Sequence, residues 1–164
     1  MDMYLVEYRR RQGEPSMTVK QQPRAASADQ AMWDSVLGLH TFVERQLAHA
    51  LQRRFGVGLS EYRALEVLTR AEKGEHRMQE LADRIGLGQS SVTRLVGRLE
   101  SAGYAYKDTC DDDRRGVYAV ITDEGRKHYQ DARSTYADVL GAALDTASTD
   151  DQLARAVRAL RGAA

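Results

Sequence analysis

Hydrophobic residues recur every three or four positions along most of this chain, which is the spacing of one buried helix face. The longest such pattern predicts a helix over residues 29–54, with Gly56 and Gly58 ending it. Five further helices are predicted in order: one capped by Ser60, a short one from about Arg77 until Gly86, one from about Gly88 to Leu99, one over residues 122–146 and one over residues 150–161. The chain is therefore predicted to be mostly α-helical.

The pattern changes after Gly103, where aromatic and β-branched residues replace the helical spacing. Two such runs, 104–107 and 116–121, flank the polar residues 108–115. This order is typical of a β-hairpin with a charged tip. Two short helices joined by a tight turn and followed by a β-hairpin form a winged helix-turn-helix, whose second helix enters the major groove of DNA.

The second of those short helices has an unusual outer face. Its inner face is apolar, whereas its outer face carries small, weakly helix-forming residues, two arginines and no acid. Short hydroxyls allow a helix to dock closely in a groove about 12 Å wide, and carboxylates there would be repelled by phosphates. The candidate DNA-binding residues of this helix are Gln89, Ser90, Ser91, Thr93, Arg94 and Arg98. The alternative is an ordinary solvated helix.

The hairpin tip carries both acidic and basic residues. Asp113 precedes Arg114 and Arg115, so the carboxylate is predicted to orient one guanidinium while the other is free to contact DNA. An arginine at a wing tip suits a narrow minor groove. The alternative is a charged turn that keeps an edge hairpin soluble.

Composition narrows the possible functions. The 164 residues include 24 basic and 24 acidic side chains, which argues against a polycation that coats nucleic acid. One cysteine, Cys110, rules out an intramolecular disulfide, and no apolar run approaches the roughly 20 residues of a membrane span. We therefore predict a cytoplasmic protein without membrane association. The scattered histidines show no metal-ligand spacing, so we predict no enzyme, metal or cofactor.

Three stretches carry a family resemblance: "MQELADRIGLGQSSVTRLVGRLESAGY", "DRRGVYAVIT" and "DEG". Together they resemble the MarR family of bacterial transcriptional regulators. The resemblance implies a homodimer, formed by interlocking N- and C-terminal helices, that binds a pseudo-palindromic DNA operator. The chain agrees independently, because its outer helices carry more apolar surface than one small winged domain can cover, and a two-fold interface buries such surface economically.

Many relatives also bind small phenolic or anionic effectors between the dimer helices and the winged domain. Four residues of this chain are of the kind that line such a cleft, although packing explains each of them more simply: Trp33, His40, Tyr62 and Arg63.

These observations predict a mostly α fold with a small β-hairpin wing, that is, a winged helix-turn-helix domain plus N- and C-terminal dimerisation helices. We assign residues 1–28 to a flexible tail, 29–58 and 122–164 to dimerisation helices, and 59–121 to the winged helix-turn-helix DNA-binding region. The predicted function is a sequence-specific, homodimeric DNA-binding transcriptional regulator, a repressor that responds to a small-molecule effector. The alternative is a winged-helix protein-interaction module that does not bind DNA.

Overall fold

The computed structural model describes residues 24–109 and 116–162. Six helices and three strands follow one another in these ranges: α1 (Arg24–Phe55), α2 (Leu59–Arg70), β1 (Glu75–Arg77), α3 (Met78–Ile85), α4 (Gln89–Ser101), β2 (Ala105–Thr109), β3 (Val117–Ile121), α5 (Asp123–Ala147) and α6 (Ala154–Gly162). The prediction of a mostly helical chain with a small β wing is confirmed.

Three helix starts differ from the prediction. Helix α1 begins at Arg24, so residues 24–28 are helical rather than part of a tail, and the rest of the predicted tail lies outside the described residues. Gly58, not Ser60, caps α2, because the Glu61 carboxylate accepts the Gly58 N–H at 2.8 Å. Helix α6 begins at Ala154 because Asp150 Oδ1 accepts the N–H groups of the two residues before it and holds them in a turn.

The sheet has one strand more than the predicted hairpin. β2 and β3 pair antiparallel as expected, and β1 pairs with the other edge of β3, so that Glu75 lies opposite Val120 and Arg77 opposite Tyr118. β1 is only three polar residues long, and its partner lies more than 40 positions further along the chain. Neither feature produces a strand pattern in the local sequence.

Two clusters of buried side chains hold the fold together. The larger joins α1–α5 with the sheet, through fully buried residues such as Leu51, Leu65, Leu81 and Leu95. The smaller joins α1, α5 and α6 around Leu39, Ala147, Ala156 and Val157. Helix α4 is therefore fixed on a core shared by every element around it.

Two kinds of feature are absent from residues 24–109 and 116–162. None of the helices there combines the length and the apolar character needed to cross a membrane. No three histidine, cysteine, aspartate or glutamate side chains in these ranges are grouped so that they could hold a metal ion.

Candidate nucleic-acid interface

Helix α4 is held by an apolar inner face. Val92, Leu95, Val96 and Leu99 have at most 1% of their surface exposed. The preceding helix α3 ends at Gly86, whose left-handed φ of 69° gives the tight turn between the two helices. Because the inner face is locked in the core, the outer face of α4 has a fixed direction.

The outer face of α4 presents the predicted residues to solvent. Gln89, Ser90, Ser91, Thr93 and Arg94 are all exposed. Thr93 Oγ1 donates to the Gln89 carbonyl oxygen at 2.9 Å, and Arg94 Nε donates to the Ser90 carbonyl oxygen at 3.4 Å. Both contacts stay within the helix, so they keep the side chains on its surface. The structure thus brings these five residues together on one exposed surface.

Arg98, the sixth predicted residue of this helix, is engaged with another element. Its Nε donates to Glu61 Oε1 of α2 at 2.5 Å. The Arg98 side chain is still 61% exposed, whereas that of Glu61 is only 14% exposed. The sequence does not reveal this pair, because the two residues are 37 positions apart.

A second ion pair joins the end of α4 to the wing. Lys107 of β2 donates from Nζ to Glu100 Oε2 at 3.0 Å, and its backbone N–H lies 3.4 Å from Glu100 Oε1. These hydrogen bonds from Lys107 hold the pKa of the Glu100 carboxyl below its usual value. The sequence placed Lys107 in the first run of the hairpin and did not reveal its pairing with Glu100.

A cleft of about 480 Å³ separates α4 from the wing. Its walls come from the end of β1, from α3, α4 and β2, and from the start of β3: Arg77, Met78, Gln79, Gln89, Thr93, Lys107, Gly116 and Val117. Arg77 lies over the Tyr118 ring, 5.6 Å from its centroid, and donates from Nε to the Tyr118 hydroxyl at 2.9 Å. Sequence reasoning missed Arg77 and Gln79 as residues beside the candidate interface, and their position at the start of α3 is the signal that points to them.

The predicted wing-tip residues Asp113, Arg114 and Arg115 lie outside the described residues, as does Cys110. The wing contacts assigned to the two arginines, and the orienting role assigned to Asp113, stay predictions.

The four candidate effector residues do not share one cleft in the described chain. Arg63 makes two hydrogen bonds to the Glu44 carboxylate, and His40 Nε2 lies 3.6 Å from Glu44 Oε1. His40 and Arg63 therefore lie at the same carboxylate. Tyr62 is 2% exposed and stacks on Tyr136 with ring centroids 4.7 Å apart, and this burial raises the pKa of its hydroxyl.

Trp33, the fourth candidate effector residue, lies two turns before His40 on α1 and is 60% exposed. It is therefore a surface residue of the single chain.

The turn that follows α4 is docked against the start of α5. Thr122 caps α5 by accepting the Gly125 N–H at 3.0 Å, and its hydroxyl donates to the Gly103 carbonyl oxygen at 2.8 Å. A Cβ on Gly125 would overlap the Tyr104 carbonyl group, so only glycine allows this approach. One turn later, His128 stacks on the Tyr104 ring at a centroid distance of 4.3 Å.

His128 is sequestered at this junction. It hydrogen-bonds to the backbone of Phe55, and its Nε2 is buried without a hydrogen-bond partner among the described residues. Burial lowers the pKa of the imidazole below its ordinary value of 6.5. The neutral form of His128 is therefore favoured where α5 packs against Phe55 of α1 and Tyr104 in the turn after α4.

The helix-turn-helix part of this chain is similar in sequence to known proteins. Residues 55–116, from the end of α1 to the start of β3, match the model of the MarR family. Two Bacillus subtilis proteins named as HTH-type transcriptional regulators, YkoM and YcgE, are 27% and 34% identical over 100 and 95 residues, which is 61% and 58% of this chain. The chain covers only 64% and 58% of the lengths of these two curated relatives.

A solved structure matches more of the chain. A MarR family transcriptional regulator from Streptomyces coelicolor, crystallised in complex with DNA, superposes with a TM-score of 0.69 at 28% sequence identity. The match covers 82% of this chain and 84% of that one. The chain is therefore similar to MarR family transcriptional regulators, in sequence over residues 55–116 and in fold over 82% of its length.

Proposed function

We propose that this protein is a sequence-specific DNA-binding transcriptional regulator that places α4 in the major groove. The observation that carries the proposal is the outer face of α4, on which polar and basic side chains are exposed without an acid from Gln89 to Arg98. A rigid helix with such a face, beside a wing, has the shape and charge that groove binding requires. The Streptomyces coelicolor relative, crystallised with DNA, supports the same use of the fold.

Within this proposal each exposed residue has a chemical role. Gln89 can pair with the donor and acceptor edge of adenine, and Arg94 with guanine or a phosphate. The hydroxyls of Ser90, Ser91 and Thr93 are short enough to reach the backbone or a base edge without holding the helix away. Arg114 and Arg115, oriented by Asp113, are proposed to contact DNA from the wing.

A homodimer that binds a pseudo-palindromic operator completes the proposal. Large apolar side chains of α1 and α6 are exposed in the single chain: Trp33, Val36, Leu37 and Leu160 are between 39% and 60% accessible. A two-fold interface across these helices would bury them. Two α4 helices would then meet successive major-groove faces, about 34 Å apart.

Repression with release by a phenolic or anionic effector is the proposed mode of regulation. The meeting of His40 and Arg63 at Glu44, between α1 and α2, supports an effector contact there. An effector acts only by binding one arrangement of the two wings better than another. Titration of the operator complex with salicylate-like phenolic acids tests this part, and an unchanged operator affinity would contradict it.

A gel-shift titration against the upstream region of the protein's own gene tests DNA binding. We expect binding that weakens as salt rises, because phosphate contacts release counterions. Replacing Arg94 by alanine should cost about 1–3 kcal/mol at one operator position if it contacts a base, and should weaken all sequences alike if it contacts a phosphate. Unchanged binding by this variant at low salt would refute the placement of α4, and no DNA binding at all would favour the protein-interaction alternative.

A further inference from the structure

The charged residues of α4 divide into two halves along the helix. Arg94, in the first half, donates to a carbonyl of its own helix. Arg98 and Glu100, in the second half, bond to side chains of two different neighbouring elements. The first half therefore presents its charge outward, whereas the second half uses its charges to contact the rest of the fold.

The contact to α2 is made by a carboxylate whose two oxygens each accept a hydrogen bond. Glu61 Oε1 accepts from Arg98 Nε at 2.5 Å, and Glu61 Oε2 accepts from the Gly58 backbone N–H at 2.8 Å. Because Gly58 is the N-cap of α2, this one side chain ties the start of α2 to the last turns of α4. Its 14% exposure leaves little room for it to turn toward another partner.

The contact to the wing crosses a position without a side chain. Lys107 Nζ lies 4.0 Å from the place that a Cβ of Gly97 would occupy, and it reaches past this residue to Glu100. The Glu100 carboxylate receives both the ammonium and the backbone N–H of Lys107. The strand β2 is thereby fixed to α4 at the point where the chain leaves the helix.

We propose that Arg98 and Lys107 are positioning residues for DNA reading, which hold α4 between α2 and the wing through Glu61 and Glu100 and add no phosphate contact of their own. This inference rests on the proposed DNA binding. It assigns the reading of the groove to the first half of α4, where Arg94 is the outward cation. It also replaces the direct DNA contact that the sequence predicted for Arg98.

Removing the charge of Glu61 distinguishes a phosphate-contacting Arg98 from a positioning Arg98, because the two give opposite results. If Arg98 were a phosphate contact, replacing Glu61 by glutamine would free the guanidinium and steepen the salt dependence of binding. If Arg98 positions α4, the same replacement loosens the helix and lowers the preference for the operator, just as loss of Arg98 does. The pair Glu100 and Lys107 gives the same contrast with a more exposed carboxylate.

The experiment uses the full-length protein and a duplex operator selected by the wild type from a random-sequence DNA pool. Affinity for this operator and for a scrambled duplex is measured at several salt concentrations for R98M, E61Q, K107M and E100Q, with Arg94→Ala for comparison. We expect R98M and E61Q, and likewise K107M and E100Q, to lower the operator preference in the same direction, by about tenfold, the scale of one lost base contact. Their salt slopes should equal that of the wild type.

Two results would overturn the inference. One is a fall of the salt slope by about 1 in R98M or K107M with the operator preference unchanged, which is the signature of a phosphate contact. The other is stronger operator binding by E61Q or E100Q. Because E61Q leaves one acceptor oxygen for two donors, Arg98 and the Gly58 N–H, it also weakens the cap of α2. Its thermal unfolding is therefore recorded beside that of E100Q, which leaves the cap unchanged.

Failure of the DNA-binding proposal would look different. If the wild-type protein enriches no sequence from the pool, the proposed function is refuted. The assignment of DNA reading to the first half of α4 is then refuted as well. Double-mutant cycles of unfolding for Arg98 with Glu61 and for Lys107 with Glu100, which do not require DNA, then decide whether these pairs hold α4 in place. Additive effects in both cycles would overturn this positioning role, and coupling would support it.

Discussion

Gly97 offers a direct test of the proposal that α4 approaches DNA closely. It lies on the same stripe as Ser90, Thr93 and Arg94, at the helical spacing of three, four and seven residues. Glycine in a helix interior is about 1 kcal/mol less favourable than alanine. A Cβ at this position would have Lys107 Nζ as its nearest neighbour at 4.0 Å, which is an ordinary van der Waals contact. The fold alone therefore gives no steric reason for a glycine here.

We expect Gly97→Ala to stabilise the protein and to weaken operator binding. The gain should be about 1 kcal/mol, which raises the melting temperature by about 2–4 °C for a chain of this size. The added methyl group would stand between α4 and the groove floor, so operator affinity should fall about tenfold, or about 1.4 kcal/mol. Thermal unfolding and operator titration are measured at one protein concentration, because a dimer's stability depends on concentration.

Gly141 supplies the matched control. It lies inside α5, and a Cβ there would meet nothing within 4 Å. Gly141→Ala should give a similar stabilisation with unchanged operator affinity. If Gly97→Ala is more stable and binds the operator as well as the wild type, then the small residues on α4 do not serve close approach. If Gly97→Ala is less stable than the wild type, then the added methyl group does not fit beside Lys107.

Three further outcomes are expected. Leu37→Glu should convert the proposed dimer into a monomer in sedimentation experiments. In the wild type, the emission of the single tryptophan, Trp33, should shift to shorter wavelength as the protein is concentrated. An unchanged mass in the variant and an unchanged spectrum in the wild type would contradict the proposed interface. Gly125→Ala should cost about 1–3 kcal/mol in urea unfolding, because the new Cβ meets the Tyr104 backbone, which cannot rotate away; wild-type stability would refute this. The free energy of unfolding should fall as pH drops below about 6.5, because His128 is protonated in the unfolded chain at a higher pH than in the folded chain. His128→Phe should flatten this part of the pH profile. An equally steep profile in the variant would assign the loss of stability to other groups.

The apolar period was sufficient to predict the helices and which face of α4 is buried, since Val92, Leu95, Val96 and Leu99 lie in the core as that period requires. The glycine turns and the β-branched runs likewise placed the hairpin. These are local signals, each carried by a few neighbouring residues.

Contacts between distant residues gave no such signal. Strand β1 exists because β3 pairs with it, and three polar residues carry no pattern of their own. The partner of Arg98 is a glutamate on another helix, and composition alone does not select it among the acidic residues of the chain. Tyr62 was considered for a ligand cleft because tyrosine suits both a cleft and a core, and only its stacking on Tyr136 shows the core role.

The absence of a side chain at Gly125 has a mechanical consequence. The backbone of α5 touches the Tyr104 carbonyl group directly, and the Tyr104 N–H donates to the Leu99 carbonyl oxygen of α4 at 2.8 Å. The turn after α4 therefore links the two helices as one body rather than as a flexible joint. Helix α4 has 13 residues, which makes it a lever about 20 Å long. A tilt of α5 by about 5° would therefore move the far end of α4 by about 2 Å, comparable with the reach of one hydrogen bond. A small change of angle between the long helices is thus amplified at the end of α4 that carries Gln89 and Ser90.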